Sequence, residues 1–173
     1  MVQDIVNIRE ANIEDMEAIA SIYVMNWKKT YVGLLPDNFL NGLTVDYGIK
    51  KWQEYLTKEK HRIFVAYENK KILGFSACKE DEELKSCLYL DSLHVSEYSR
   101  GKGIGTKLIN RVGNYAYIKG YEHMSICIVK GNDNAKRIYE KMGAKHYKYF
   151  IDCFGDIETN SEKLIWNNLI CFK

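Results

Sequence analysis

The stretch Leu93-His94-Val95-Ser96-Glu97-Tyr98-Ser99-Arg100-Gly101-Lys102-Gly103-Ile104-Gly105-Thr106 decides the fold. Residues 88–95 are rich in Leu, Tyr and Val, the composition of a strand. Downstream, Ile104, Leu108, Ile109 and Val112 recur at helical spacing. Gly101, Gly103 and Gly105 stand between the two, at every second position. A backbone without Cβ atoms turns tightly and lets a ligand come close. The first N–H groups of a helix have no partner inside it, and the helix dipole favours negative charge there. Strand, glycine turn and helix N-terminus together predict a phosphate cradle, with Arg100 and Lys102 adding positive charge at its lip.

Two familiar cradles do not match. A nucleoside-triphosphate loop closes on Gly-Lys followed by Ser or Thr, whereas Gly105 is followed by Thr106 and then Lys107. A dinucleotide loop needs a third glycine three residues after the second, and that position after Gly103 holds Thr106. The phrase Arg100-Gly101-Lys102-Gly103-Ile104-Gly105 instead resembles the Arg/Gln-x-x-Gly-x-Gly/Ala signature of the GCN5-related N-acetyltransferase (GNAT) family. A second stretch, Asn132-Asp133-Asn134-Ala135-Lys136-Arg137-Ile138-Tyr139-Glu140-Lys141-Met142-Gly143, resembles that family's Asn-x-x-Ala-x-x-x-Tyr-Glu-x-x-Gly helix. The two motifs stand in the family's order, separated by one helix and one strand. With the flanking strands the resemblance covers most of the chain.

Composition sets wider bounds. A chain of 173 residues can bury a sizeable core, and a single domain over 1–173 is expected. Apolar content of 46% and charged content of 28% are ordinary for a soluble globular protein. A net charge of +2 without a basic run argues against nucleic acid and suits an anionic cofactor. Cys78, Cys87, Cys127, Cys153 and Cys171 are odd in number and scattered, so they read as buried thiols of a reducing compartment. His61, His94, His123 and His146 form no cluster, so no metal is expected. Met1-Val2-Gln3-Asp4 carries no leader pattern, and no apolar run reaches membrane-spanning length. A cytoplasmic protein with no membrane partner is expected.

Along the chain, residues 5–9 read as a strand, and a helix follows whose cap is Asn12 with Asp15 three residues on. Met16, Ile19, Ala20, Tyr23 and Val24 form its apolar stripe. Pro36 is placed in the first turn of a short helix through Leu40, and Thr44 caps a third helix over 45–56. Residues 62–68 and 71–79 form a hairpin across Asn69-Lys70. Residues 80–85 read as a solvated charged loop and 87–95 as the central strand. A helix over 103–119 ends at Gly120, and a parallel strand over 123–129 comes after it. A short helix over 135–142 and closing strands over 145–153 and 162–169 complete the chain. These patterns alone predict an α/β arrangement, a mixed sheet with helices on both faces. The resemblance implies the family's version of it, a mostly antiparallel sheet of about seven strands.

The resemblance also implies an enzyme: an N-acetyltransferase using acetyl-CoA, with direct attack by a primary amine in a ternary complex. The backbone amides of Arg100, Gly101, Lys102, Gly103, Ile104, Gly105 and Thr106 would hold the CoA diphosphate. Backbone groups of Leu93, His94 and Val95 would pair with the pantetheine arm as an added strand, if the central strand splays from its parallel neighbour. Asn132 falls where the family places a cofactor-contacting amide, and Tyr139 where it places the acid that protonates the departing thiolate. A phenol of pKa about 10 suits a thiol of about 8.5. Many members carry a glutamate where this chain has Tyr89. Asp91 shares its face by the strand period of two, and it is the candidate base, directly or through a water relayed by Tyr89. Trp27 and Tyr31, in the segment the family uses for the acceptor, with Tyr89 and Asp91, suggest an aromatic pocket with one anion for a cationic amine. The acceptor stays open between a small-molecule amine and a protein or peptide amine, and a homodimer is also open. The alternative function is a non-catalytic acyl-CoA-binding sensor or interaction module of the same fold.

Overall fold

The computed structural model describes residues 5–173, so the reading of Met1-Val2-Gln3-Asp4 lies outside the described residues. The elements are β1 Asn7–Glu10, α1 Met16–Thr30, α2 Asp37–Asn41, α3 Val45–Thr57, β2 Arg62–Glu68, β3 Lys71–Glu80, β4 Cys87–Val95, α4 Ile104–Ile118, β5 His123–Val129, α5 Asp133–Lys141, β6 Lys145–Phe154 and β7 Ile157–Trp166. A single 3-10 turn, Ile13–Asp15, leads into α1. Asn12 caps that turn, with its Oδ1 accepting from the Glu14 N–H at 2.9 Å, while Asp15 Oδ2 accepts from the Asn12 N–H at 2.9 Å. Thr44 caps α3 through the Tyr47 N–H at 3.1 Å. Pro36 stands one residue before α2 rather than in its first turn.

Seven strands form one mixed sheet in the order β1-β2-β3-β4-β5-β7-β6. Among the seven described strands only β4 and β5 pair in parallel, joined by the α4 crossover. The β2–β3 hairpin turns on Asn69 and Lys70, both at positive φ (48° and 66°), as the tight primed turns require. Alternate strand residues feed two cores. Phe64, Ala66, Leu88 and Leu90 pack under α4 with Leu108, Ile109 and Val112. Ile63, Val65, Phe75 and Ala77 pack under α1 and α3 with Ile19, Tyr23 and Trp52. Helices α1 and α3 come close enough that a Cβ on Gly48 would lie 2.9 Å from the Ala20 Cβ.

Three further expectations are corrected. Strand β7 starts at Ile157, five residues before 162, and forms a long hairpin with β6 across Gly155 and Asp156. Its polar first half, Glu158-Thr159-Asn160, carries no apolar alternation for a sequence reading to follow. The 80–85 loop is not all solvated: the Asp81 side chain is 3% exposed and pairs with Lys163 at 2.7 Å. Of the five cysteines, Cys153 and Cys171 are exposed rather than buried.

Candidate active site

The loop after β4 is built by two glycines and one buried amide. Gly101 and Gly103 have φ of +77° and +74°, and no atom lies within 4 Å of where a Cβ would stand, so conformation rather than crowding selects glycine there. Gly103 is the N-cap of α4, and no side chain caps that helix. Gly105 is different: its φ is negative, and a Cβ there would meet only Val95 Cγ2, at the ordinary distance of 3.8 Å. Neither strain nor crowding selects that glycine. Arg100 folds back instead of projecting toward a ligand. Its Nη2 donates to Asn26 Oδ1 at 3.1 Å, and Asn26 Nδ2 donates to the Val95 carbonyl at 2.9 Å. Asn26, 4% exposed on α1, thereby ties the two ends of the loop to the helix. Lys29 of α1 adds an ion pair to Glu97. Lys102 and Thr106 are exposed.

Strand β4 parts from β5 where its register slips. The parallel pairing runs from Cys87↔His123 to Leu90↔Ile126 and stops. On the β3 side, Leu90 faces Cys78 and Ser92 faces Ala77, leaving Asp91 as the extra residue of a bulge. A bulge bends the strand and shifts its alternation. Leu88 and Leu90 face the α4 core, and beyond the bulge so do Leu93 and Val95. From Asp91 onward β4 has no strand on its β5 side, while β5 continues to Val129 against β7. The result is an open wedge between two strands, whose free backbone groups can accept an extended ligand. Within it, His94 lies between Tyr23 (5.5 Å) and Phe75 (5.4 Å). Burial and the neighbouring Arg100 push its imidazole down to about 3, so it is neutral at physiological pH.

On the α1 side of the wedge is a cavity of about 770 Å³. All four residues expected for the acceptor, Trp27, Tyr31, Tyr89 and Asp91, line it. Trp27 stands 4.5 Å from Tyr31, 6.5 Å from Phe39 and 5.4 Å from Phe154, ring centre to ring centre. Phe154 comes from the β6–β7 hairpin, which brings Asp152 into the same wall. On the floor, the Tyr89 hydroxyl donates to Cys127; burial first, then the charges around it, including Asp91 and Asp152, raise its pKa. Burial and Asp91 likewise raise Tyr23 and Tyr55. The carboxylate at the bulge thus sits among three phenols that remain protonated.

Tyr139 does not line this cavity. It is 6% exposed, with its ring edge-on to Trp166 at 6.2 Å. Burial, then the charge of Tyr31, raises its pKa, so it remains a neutral phenol that can donate a proton. Asn132 donates to the Tyr31 hydroxyl, whose pKa is nonetheless raised by burial. Tyr31, Asn132 and Tyr139 therefore gather where α1 meets the loop after β5, a loop also closed by Leu34 against Gly131. The structure brings Tyr89 and Asp91 together in the cavity and Asn132 and Tyr139 together beside it, with Tyr31 common to both. Residues the sequence did not single out complete the site: Asn26, Tyr23, Phe39, Lys51, Asp152 and Phe154. Asn26 left one trace, a polar residue in the apolar stripe Tyr23-Val24-Trp27.

Open backbone beside β4, a loop with two glycines at positive φ and an uncapped helix of 15 residues fit the arm and diphosphate of CoA. The family model for the acetyltransferase (GNAT) family matches residues 19–144. An uncharacterized N-acetyltransferase, YuaI, of Bacillus subtilis (strain 168) is 27% identical over 132 residues, 73% of each chain. An N-acetyltransferase from Staphylococcus aureus Mu50 superposes with a TM-score of 0.73 at 23% identity, covering 95% of this chain and 99% of that one. The PaiA N-acetyltransferase of Thermoplasma acidophilum, solved in complex with coenzyme A, superposes with a TM-score of 0.71 at 18% identity, covering 91% and 98%.

Proposed function

The chain belongs to the acetyltransferase (GNAT) family and is an acetyl-CoA-dependent N-acetyltransferase, and from that premise we propose that it acetylates a small cationic primary amine by direct attack in a ternary complex, with Tyr139 as general acid. Acetyl-CoA supplies the acetyl group as a thioester. The α4 N-terminal amides and the Gly101-Lys102-Gly103 backbone hold its diphosphate, and the Leu93-His94-Val95 edge holds its arm. Arg100 serves this cradle as a positioning residue, because its guanidinium is spent on Asn26.

An ammonium group of pKa about 10.4 must lose a proton before it attacks. Asp91 is the proposed base, directly or through a water relayed by Tyr89. It stands at the bulge where the wedge opens, so an amine against it faces the thioester. The nitrogen then bonds to the acetyl carbon, the carbon–sulfur bond breaks, the Tyr139 phenol gives its proton to the thiolate, and the acetylated nitrogen sheds its second proton, which returns to the Tyr139 phenolate through solvent. The observation that carries this reading is the loss of β4–β5 pairing after Leu90, which opens the wedge between the glycine loop and the cavity that contains Asp91.

The test is a thiol-release assay with acetyl-CoA and a panel of amines, run on the protein and on Tyr139→Phe. We expect kcat to fall by about 10²–10⁴-fold, the usual worth of a general acid, with the KM for acetyl-CoA little changed. Unchanged turnover removes Tyr139 from the mechanism. Tight acetyl-CoA binding with silence toward every amine supports the non-catalytic module instead.

A further inference from the structure

We propose that Glu162 of β7 is a positioning residue for the acetyl transfer: through Lys136 it sets where α5 presents the Tyr139 phenol. The inference rests on the reading of Tyr139 as general acid and adds the group that aims it. Among the nine described residues of α5 only Tyr139 is buried, so apolar packing alone holds this short helix weakly. Two residues of β7 supply further ties. Glu162 and Trp166 are four apart, so the strand period puts both on one face of the sheet. Trp166 Nε1 donates to the Met142 carbonyl at 3.1 Å and holds the C-terminal end of α5. Glu162 Oε2 accepts from Lys136 Nζ at 2.9 Å and holds its first half.

Glu162 is 4% exposed, and both its oxygens are used, since Oε1 pairs with His146 Nδ1 of β6 at 2.7 Å. Burial alone would raise its pKa, but Lys136 and His146 hold it below the usual carboxylate value, so it stays charged. A buried ion pair adds little net stability, because desolvation offsets the attraction. What this one supplies is a defined position. Lys136 lies three residues before Tyr139, a neighbour on the helix surface, and its N–H donates to the Asn132 carbonyl at 3.2 Å. The tethered turn therefore joins Asn132 to the acid. A displacement of about 1 Å at a reacting group can cost about 100-fold in rate. Without Glu162, Lys136 is left with Glu140 at 3.8 Å, which is on its own helix and ties α5 to nothing else.

The experiment is a double-mutant cycle in steady-state kinetics, with acetyl-CoA and an accepted amine, that combines Glu162→Gln with Tyr139→Phe. Glutamine keeps the volume and removes the charge, and the Lys136 side chain, 31% exposed, can turn to water. With Tyr139 present, Glu162→Gln should lower kcat by about 10–100-fold and leave the KM for acetyl-CoA little changed. In the Tyr139→Phe background the same substitution should change kcat by less than about twofold, which a general loosening of the fold would not produce. Lys136→Met should repeat this pattern from the helix side, and Lys136→Arg, which keeps a cation there, should exceed it in kcat. If Glu162→Gln fails to fold, the two Lys136 variants carry the cycle. An unchanged kcat, or an equal fall in both backgrounds, overturns this proposal alone. Full turnover by Tyr139→Phe, or silence with every amine, overturns it together with the reading it rests on.

Discussion

Asn26 occupies a buried position of α1, and both ends of its amide are used, Nδ2 on the Val95 carbonyl and Oδ1 on Arg100. Truncation removes both bonds and leaves the Val95 carbonyl and the guanidinium only their long mutual contact of 3.5 Å, which costs about 1–3 kcal/mol. Asn26→Ala should lower the urea midpoint accordingly and also weaken CoA binding by calorimetry, because the loop ends are released. Gly105 makes the complementary case. Its backbone is ordinary for any residue and its Cβ site is open, so Gly105→Ala should be neutral to stability or raise it by about 0.5–1 kcal/mol. The same substitution should weaken CoA binding at least tenfold, since the added methyl occupies space next to Val95 that the ligand needs. A fall in stability with intact CoA binding would show that this glycine serves packing. The spacing of three glycines made the tight turn into α4 legible in the sequence. The separate jobs of Gly103 and Gly105 were not, because φ and open space are properties of the folded backbone. Asp152 was hidden for the same reason: nothing local says that the end of a closing strand folds onto α1.

At the scale of elements, signals written into neighbouring residues were readable. The Asn69-Lys70 turn, the Thr44 cap and the limits of β4 and β5 follow from turn chemistry and runs of apolar residues. The bulge at Asp91 and the end of β4–β5 pairing were not readable, since both depend on register between distant strands. The 80–85 loop shows the limit most clearly. Its charges suggest solvent, but Asp81 is pinned under the sheet by Lys163 at 2.7 Å and by the Ser125 hydroxyl at 2.5 Å. Burial alone would raise the Asp81 pKa, but these partners hold it below the ordinary carboxylate value. A carboxylate depressed in the folded state contributes stability that is complete above its unfolded value, about 3.9, and is lost as the pH falls through the folded value. Asp81→Ala leaves Lys163 buried without its closest partner and should cost about 3–5 kcal/mol at neutral pH by chemical denaturation. Asp81→Asn should flatten the acid limb of the stability profile below pH about 4; a limb as steep as in the unaltered protein would contradict the account.

Across the whole molecule, two cores on opposite faces of one sheet hold apart the two things an acetyl transfer must join. The α4 core carries the glycine loop and Tyr139, and the α1–α3 core carries the aromatic cavity. The wedge where β4 leaves β5 is the passage between them. The order of elements and both motifs could be read from the chain, so the family and its fold were legible early. The acceptor side is assembled from α1, α3, β4, β5 and the β6–β7 hairpin, and no single stretch of sequence encodes it. The central claim is that the amides after Arg100 hold a CoA diphosphate so that the sulfur arrives beside Tyr139. A crystal structure with CoA bound tests it most directly. The account predicts the diphosphate on the amides of residues 101–106, the arm along Leu93-His94-Val95, and the sulfur within hydrogen-bond reach of the Tyr139 hydroxyl. A CoA whose diphosphate lies elsewhere, or whose sulfur is far from that phenol, would contradict it.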